Sequence, residues 1–431
     1  MGSQRSAVRV WEIVVRAVYL LIAQTLYWAA VCWRRMLLRT TFIAVTGSHG
    51  KTTTKELLAA MLAPLQPTFK SLANQNTGLS LTLNVLRVRP RHRFAVIEVG
   101  VGAPGEMRRL ARLVRPDVAV MLAVLRTHTK TFRNQQTHAA EKAILLERLR
   151  PGGVAVLNND DPLVAAMAEV VRGTVVRVGT SAGLDLWVEG HTSRWPGRLE
   201  FDAHSRDGGS CQVRMRLVGT HWCTSVAAAL AAARNLGVPL QQAADAAATV
   251  EPFPGRMQPV SLPCGAVVLR DEYDGSIDTF EAGLKVMAEA RAGRRVIVIS
   301  DVSDYGSTMR RKRLAHVGRA SAQVAEVLVF VGPDAKYCRR GALASGAASE
   351  RIHTFTDLPE AADFLRDALG PGDVALLKGR TGDHLARMFF AQLGPIRCWK
   401  THCTKTIGCD FCPELGLAPE HLARTSQSPP Q

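Results

Sequence analysis

The segment TFIAVTGSHGKTTTKELLAAML occupies residues 41–62 and carries the clearest structural pattern in the chain. It opens with a β-branched, apolar run that is typical of a buried strand. A glycine-containing turn follows, and then a run of helix-forming residues that stops before Pro64. A buried strand joined to a helix by a short glycine-rich turn is a building unit of parallel α/β sheets.

The alternation of strands and helices continues on the C-terminal side of this unit. Proline and glycine interrupt the alternation at residues 251–258, which we interpret as a domain junction. The pattern predicts an α/β protein: a phosphate-loop central domain with a mostly parallel sheet, and a C-terminal Rossmann-like α/β domain. The predicted divisions are an N-terminal hydrophobic helix at 1–40, the central domain at 41–256, the C-terminal domain at 257–396 and a cysteine-containing tail at 397–431.

Composition indicates a folded protein of several domains with an excess of positive charge. The 431 residues are 47% hydrophobic and 21% charged, which is unlike a disordered chain. Lys and Arg outnumber Asp and Glu by 54 to 37. Such a surplus suits nucleotides, phosphorylated substrates, anionic lipid or nucleic acid, although arginine on a solvated surface explains it equally well.

The N-terminal segment is apolar and flanked by arginine. Residues 17–33 contain no charged side chain, and several are Trp or Tyr. A membrane-spanning helix needs about 20 apolar residues, so the run is borderline for spanning and suits a helix at a membrane interface. The alternative is a helix packed on the protein's own surface. We expect a cytoplasmic protein at the inner face of the cell membrane.

The turn after the first strand has the composition of a phosphate-binding loop. Glycines allow backbone N–H groups to approach phosphates, and the following helix adds its positive N-terminus. The Lys51 ammonium would neutralise the terminal phosphates, and the Thr52 hydroxyl would coordinate Mg²⁺. The alternative is a glycine-rich turn that only starts a helix. The residues assigned to ATP binding in this loop are Gly47, Ser48, His49, Gly50, Lys51, Thr52 and Thr53.

This loop, TGSHGKTTTKELL, resembles that of the Mur ligases, which build peptidoglycan precursors. Further motifs follow in the family's order and extend the resemblance over about residues 41–395. It looks closest to the subgroup that adds D-alanyl-D-alanine. The matching segments are NQNTG (74–78), VIEVG (96–100), RPDVA (115–119), GGVAVLNNDDP (152–162), PGRMQ (254–258), DEY (271–273) and LKG (377–379).

The resemblance implies a role for individual residues. Thr52 and Glu98 would hold one Mg²⁺, and His128 would be a ligand of a second metal ion. Lys142 would be the lysine that is often carbamylated in the family, and Arg256 would reach the γ-phosphate. The implied catalytic residues are Lys51, His128, Lys142 and Arg256.

Each of these residues has a plainer interpretation. Glu98 could be an ordinary carboxylate at a strand end, and His128 a surface histidine. A lysine on a polar helix face, such as Lys142, is normally solvated. Arg256 gains its significance only from the surrounding PGRMQ.

The implied reaction is ATP-dependent amide formation. The γ-phosphate passes to a carboxylate, and an amine then displaces phosphate from the acyl phosphate. We expect a role in cell-wall or polymer biosynthesis. The carboxylate would be a small molecule, or lipid-linked or polymeric, because the hydrophobic segment stands where the peptidoglycan members carry a UDP-sugar-binding domain.

Two departures from the family pattern support an alternative. The 274–276 stretch lacks the subgroup's asparagines, and Arg380 stands where serine is usual. Asp274, in that stretch, is still assigned to ATP binding. The alternative is a non-catalytic, nucleotide-binding partner subunit. A nucleic-acid-binding ATPase ranks last, because aromatic residues are only 6% of the chain and form no stacking motif.

The tail contains cysteines with the spacing C-x4-C-x5-C-x2-C, namely Cys398, Cys403, Cys409 and Cys412. Four thiolates suit Zn²⁺ or an iron–sulfur cluster, and we favour zinc. His402 is an alternative ligand. Free or redox-active thiols are the other interpretation.

Overall fold

The computed structural model describes residues 2–72, 75–125, 131–303, 307–401 and 408–418, together with residues 403 and 405. Within these ranges the chain forms one long N-terminal helix and two α/β domains, each built on its own sheet. The predicted fold class is therefore confirmed. Three of the residues singled out from the sequence, Asn74, His128 and His402, lie outside the described residues.

The central domain has a nine-stranded sheet in the order β2-β3-β1-β4-β5-β6-β7-β8-β9. Neighbouring strands are parallel from β2 to β7, and the last two pairings are antiparallel. The strands are β1 (Thr41–Thr46), β2 (Thr68–Lys70), β3 (Phe94–Glu98), β4 (Val118–Met121), β5 (Val154–Asn158), β6 (Thr174–Gly179), β7 (Leu186–Thr192), β8 (Glu200–Ser205) and β9 (Ser210–Arg214).

Helices cover both faces of this sheet, which explains why its parallel strands are apolar throughout. Ile43 and Val45 of β1 join one hydrophobic core, whereas Phe42 and Ala44 join the core on the opposite face. Successive side chains of a strand point to opposite faces, so both faces need apolar residues here. The covering helices are α1 (Gly2–Met36), α2 (Lys51–Leu62), α3 (Gly78–Arg87), α4 (Glu106–Val114), α5 (Gln135–Glu147), α6 (Pro162–Ala165), α7 (Cys223–Asn235) and α8 (Leu240–Ala248).

The C-terminal domain has a six-stranded sheet in the order β10-β11-β15-β12-β13-β14, parallel except for the pair β10–β11. Its strands are β10 (Gln258–Ser261), β11 (Val267–Asp271), β12 (Arg295–Ile299), β13 (Val327–Val331), β14 (Ile352–Phe355) and β15 (Val374–Lys378). Its helices are α9 (Ile277–Glu289), α10 (Ser307–Ala322), α11 (Ala335–Ala344), α12 (Leu358–Ala368) and α13 (Ala386–Leu393).

The N-terminal helix α1 is docked on the central domain by its C-terminal part. Tyr27 and Val31 are buried in the same core as Phe42. The indole of Trp33 donates a hydrogen bond to the carbonyl of Val88 (2.9 Å). The guanidinium of Arg34 donates to the carbonyl of Val114 at 2.8 Å. The C-terminal part of α1 therefore packs on the protein's own surface.

The preceding turns of α1 are different. Their apolar side chains are about half exposed or more, namely Val15, Val18, Tyr19, Leu20, Leu21 and Ile22. Within the described residues, Val15–Met36 is a helical segment of 22 residues that is long and apolar enough to cross a membrane, by length and composition alone. Only 17% of the most apolar stretch of this segment is buried in the protein.

Candidate active site

The loop between β1 and α2 owes its shape to two glycines. Gly50 has φ of 81° at the N-cap of α2, in the left-handed region that L-residues avoid. A Cβ atom at Gly50 would lie 2.4 Å from the Ser225 hydroxyl, and one at Gly47 would lie 2.9 Å from Leu122 Cβ. Glycine is therefore required at both positions, and the backbone of the loop packs closely against neighbouring chain.

Lys51 folds back over this loop. Its Nζ donates hydrogen bonds to the carbonyls of Gly47 (3.0 Å) and Ser48 (2.8 Å). Burial lowers the pKa of Lys51, and the neighbouring carboxylate of Glu98 partly opposes this. The backbone N–H of Ser48 donates to Ala123 O at 2.6 Å. The ammonium group thus lies over the helix N-terminus, where a phosphate would bind.

Thr52, Glu98 and Asn76 form a connected group beside the loop. The Thr52 hydroxyl donates to Glu98 Oε2 (2.9 Å), and the Asn76 amide donates to Glu98 Oε1 (2.7 Å). Glu98 is at the end of β3, which pairs with β1, and it is only 1% exposed. A carboxylate and a hydroxyl within hydrogen-bonding distance of each other are oxygen donors of the kind that Mg²⁺ prefers. The residues present therefore fit a magnesium site.

Lys142 lies on α5 and is buried, 2% exposed. Its Nζ donates to the carbonyl of Gly47 at 3.0 Å, the same carbonyl that Lys51 contacts. Burial, and then the nearby charge of Lys51, hold the pKa of Lys142 well below its usual value. The structure thus places Lys142 directly beneath the phosphate loop rather than on a solvated helix face.

The C-terminal domain presents charged groups to the same loop. Burial raises the pKa of Asp274, but Lys378, His49 and Arg256 outweigh this effect and bring it below its ordinary value. Burial lowers the pKa of His49 to about 4, although Asp274 opposes the shift. Asp274 and His49 thus influence each other's pKa across the boundary between the domains.

Arg256 lies at the junction of the domains. Its guanidinium is over the ring of Tyr273, 4.5 Å from the centroid. The Nε atom of Arg256 is buried and has no hydrogen-bond partner among the described residues. A half-buried arginine with an unused donor can accept an anionic ligand.

Sequence reasoning missed several residues of this region. Asn76 belongs to the NQNTG motif, but the motif does not show that its amide donates a hydrogen bond to Glu98. Lys378 is buried and pairs with Asp271 at 2.6 Å. The signal for Lys378 was its position after four apolar residues of β15, because a lysine at the carboxyl end of a buried parallel strand needs a partner.

The four tail cysteines do not form the predicted zinc site. All four are free thiols within the described part of the chain, and no group of three or more His, Cys, Asp or Glu there could hold a metal ion. Cys409 instead lies 3.6 Å from His384 Nδ1, and Cys412 lies 3.6 Å from Lys405 Nζ. The cysteine spacing indicated a common metal site, whereas the structure gives Cys409 and Cys412 separate partners.

A phosphate loop, an adjacent Thr–Glu pair and a second α/β domain that carries charges toward the loop define a class of protein: a two-domain, ATP-dependent enzyme. Comparisons with known proteins agree. The Mur ligase middle domain family matches residues 45–233, and the Mur ligase glutamate ligase domain family matches residues 255–381. The chain belongs to the Mur ligase family, whose members are ATP-dependent ligases that form amide bonds.

Individual relatives give the same result. The UDP-N-acetylmuramoyl-tripeptide–D-alanyl-D-alanine ligase of Mycobacterium tuberculosis is 30% identical over 378 residues, 83% of this chain and 74% of the relative. The crystal structure of MurF from Acinetobacter baumannii superposes with a TM-score of 0.79 at 26% identity, covering 86% of this chain and 80% of that one. The MurF ligase from Thermotoga maritima in complex with ADP has a similar fold, with a TM-score of 0.73 at 23% identity and coverage of 85% and 82%.

Proposed function

We propose that this ligase transfers the γ-phosphoryl group of ATP to a substrate carboxylate and then joins the resulting acyl phosphate to an amine. The observation that carries the proposal is the placement of Lys51 and Thr52, on the β1–loop–α2 unit, beside Glu98 of the neighbouring strand β3. Arg256 and Asp274 act electrostatically on Lys51. Phosphoryl transfer depends mainly on positioning and on stabilising charge, and this arrangement supplies both.

Each residue has a defined part in this proposal. The Lys51 ammonium exchanges its two carbonyl partners for phosphate oxygens when ATP binds. Arg256 donates its unused N–H to the γ-phosphate from the other side of the cleft. Magnesium, held by Thr52 and Glu98, would neutralise charge on the phosphates. Burial holds the pKa of Lys142 well below its usual value, which favours the neutral amine that carbamylation requires.

The substrates are a cell-wall peptide carboxylate and a small amine. The support is the similarity to relatives named for a UDP-N-acetylmuramoyl-tripeptide and for D-alanyl-D-alanine. We infer that the carboxylate is presented at a membrane, as a lipid-linked or polymeric precursor, because α1 offers an apolar surface near the central domain.

The exposed part of α1 favours lipid over a protein partner. Residues 18–22 are consecutive, so together they surround the helix, and their side chains include Val18, Tyr19, Leu20, Leu21 and Ile22. A helix that is apolar on all sides suits a lipid phase, whereas a single protein surface would cover one side. Arginines at both ends of the apolar run would meet anionic headgroups.

Substrate-dependent ADP release tests the proposed reaction. Purified full-length protein is mixed with ATP, Mg²⁺, UDP-N-acetylmuramoyl-tripeptide or a lipid-linked peptide, and D-alanyl-D-alanine. A ligase releases ADP only when carboxylate and amine are both present. Nucleotide binding without ADP release for any pair would instead identify a non-catalytic partner subunit and overturn the proposal.

Vesicle sedimentation tests the membrane contact. Parent protein should sediment with vesicles of phosphatidylglycerol and phosphatidylcholine, and the double variant Leu20→Gln/Leu21→Gln should bind at least tenfold less. Leu38→Gln is the matched control, because Leu38 is 79% exposed but lies after the end of α1. A parent protein that stays in the supernatant would refute the tether.

A further inference from the structure

A cavity of about 550 Å³ lies between the two domains, next to the proposed magnesium site. One part of its wall comes from the central domain and includes Asn76, whose amide donates to Glu98. The domain junction contributes Phe253, and the C-terminal domain contributes Tyr273. A volume of this size is ordinary for a small-molecule pocket.

The remaining wall is made by the tail. Gly408, Cys409, Asp410 and Phe411 all line the cavity. The family matches end at residue 381, so this segment lies beyond the part of the chain that matches the Mur ligase domains. The tail therefore adds a wall to the cleft from outside the two matched segments.

A buried ion pair fixes this part of the tail. Arg270 is completely buried and donates to both carboxylate oxygens of Asp410, at 2.6 and 3.0 Å. Its Nε donates to Glu272 Oε1 at 2.9 Å, and its guanidinium lies 4.4 Å from the centroid of the Phe389 ring. A bidentate arginine pair is geometrically specific, so Asp410 holds its neighbours in a defined position.

Apolar packing adds to this anchor. Leu415 and Leu417 are buried in the core of the C-terminal domain. The Arg397 N–H donates to Leu415 O at 2.8 Å, which links the start of the tail to Leu415. Phe411, by contrast, is 57% exposed, with its ring 6.5 Å from that of Phe253. The tail thus buries its leucines and leaves one aromatic ring at the cavity wall.

One carboxylate oxygen at the cavity wall lacks a donor. The acidic side chains among the described wall residues are Glu272 and Asp410, and both pair with Arg270 behind them. Glu272 is 5% exposed, and its Oε2 has no hydrogen-bond partner within the described residues. An ammonium group would supply the missing donor.

We propose that the tail segment 408–411 completes the pocket for the amine substrate, with Phe411 as a specificity-determining residue. The amine enters as its ammonium form near Glu272, and its body packs against the aromatic cluster of Phe253, Tyr273 and Phe411. The assignment to the amine, rather than to another cation, rests on the proposed ligase function. The carboxylate substrate reaches the γ-phosphate from outside this pocket.

Equilibrium binding to the full-length chain tests this pocket separately from catalysis. The probes are D-alanyl-D-alaninamide, which has an ammonium group, and its N-acetyl derivative, which has none. Parent protein should bind the first probe at least tenfold more tightly than the second. Phe411→Ala should lose about tenfold in affinity for the first probe, because an aromatic wall is removed.

Leu343→Ala is the control, since Leu343 is an exposed apolar residue on α11, outside the cavity wall. It should bind like the parent. The proposal is overturned if the parent binds neither probe, if it binds both equally, or if Phe411→Ala binds like the parent. The proposed function fails on a different result, the absence of substrate-dependent ADP release.

Discussion

Glu98 is the residue on which the site chemistry depends most. It accepts hydrogen bonds from Thr52 and Asn76 through different oxygens, so both oxygens are held in place. A neutral amide of the same shape would keep the packing but lose the charge that a divalent cation needs. The distinction between shape and charge can be measured directly.

We expect Glu98→Gln to lower kcat for ADP release by about 100-fold or more, and to raise the Mg²⁺ concentration needed for half-maximal activity. Glu56→Gln is the matched control, because Glu56 of α2 pairs with Lys55 and with Lys70 of β2, away from the loop contacts. Parent-like magnesium dependence in Glu98→Gln would show that this carboxylate is not a ligand.

His49 makes the stability of the loop dependent on pH. Its pKa is about 4 in the folded chain, below its ordinary value of 6.5, so the unfolded state binds more protons between these values. Stability should therefore fall as the pH drops from 6.5 to 4. The slope has an upper limit of about 1.4 kcal/mol per pH unit for one proton.

Urea unfolding of the parent and His49→Gln at several pH values checks this. The free energy of unfolding of the parent, minus that of the variant, should decrease toward pH 4 and be constant above pH 7. A difference that does not change with pH would mean that His49 titrates normally.

At the scale of elements, α1 has two parts that differ in burial. Its C-terminal part is a structural piece of the central domain, with Arg34 donating to two backbone carbonyls at 2.8 Å and pairing with Asp117 at 3.1 Å. Its apolar turns before Tyr27 remain exposed. The hydropathy of the sequence does not distinguish the two parts, because it does not show which apolar residues pack against the central domain.

We expect Arg34→Ala to lower the free energy of unfolding by about 2–4 kcal/mol, because buried carbonyls and Asp117 lose their donor. Asp117 keeps Arg150 as a partner, which limits the loss. Arg35→Ala, at an exposed position of the same helix, should change stability by about 0.5 kcal/mol or less. Equal effects in urea unfolding would contradict the docking of α1.

At the scale of the whole molecule, the candidate active site is divided between two sheets. The phosphate loop belongs to the first sheet, whereas Asp274 follows a strand of the second. The domains also contact each other away from the site, where the Arg291 N–H donates to Trp195 O at 2.9 Å. Catalysis therefore depends on how the domains are placed, as well as on each residue.

Arg256 at the junction is the clearest test of this division. We expect Arg256→Gln to lower kcat by about 100-fold while the melting temperature changes by about 2 °C or less, since its Nε makes no hydrogen bond within the described structure. Arg256→Lys should recover part of the activity, because it keeps the charge but not the planar fork. A large fall in melting temperature would assign Arg256 a structural role instead.

The order of apolar runs and glycines was enough to predict the two α/β domains and the phosphate loop. These features are local: a buried strand needs consecutive apolar residues, and Gly50 needs its left-handed backbone whatever the rest of the chain does. The resemblance to the Mur ligases added Glu98, Lys142 and Arg256 as candidates, and their roles remain predictions.

The fold alone revealed which distant residues meet. The tail cysteines looked like a metal site from their spacing, yet the Arg270–Asp410 pair directs this segment into the wall of the cleft. Likewise, Lys142 is a polar residue in a helical run, and its burial under Gly47 follows from the packing of α5. Spacing along the chain encodes local geometry, whereas desolvation and pairing arise only when separate segments exclude water together.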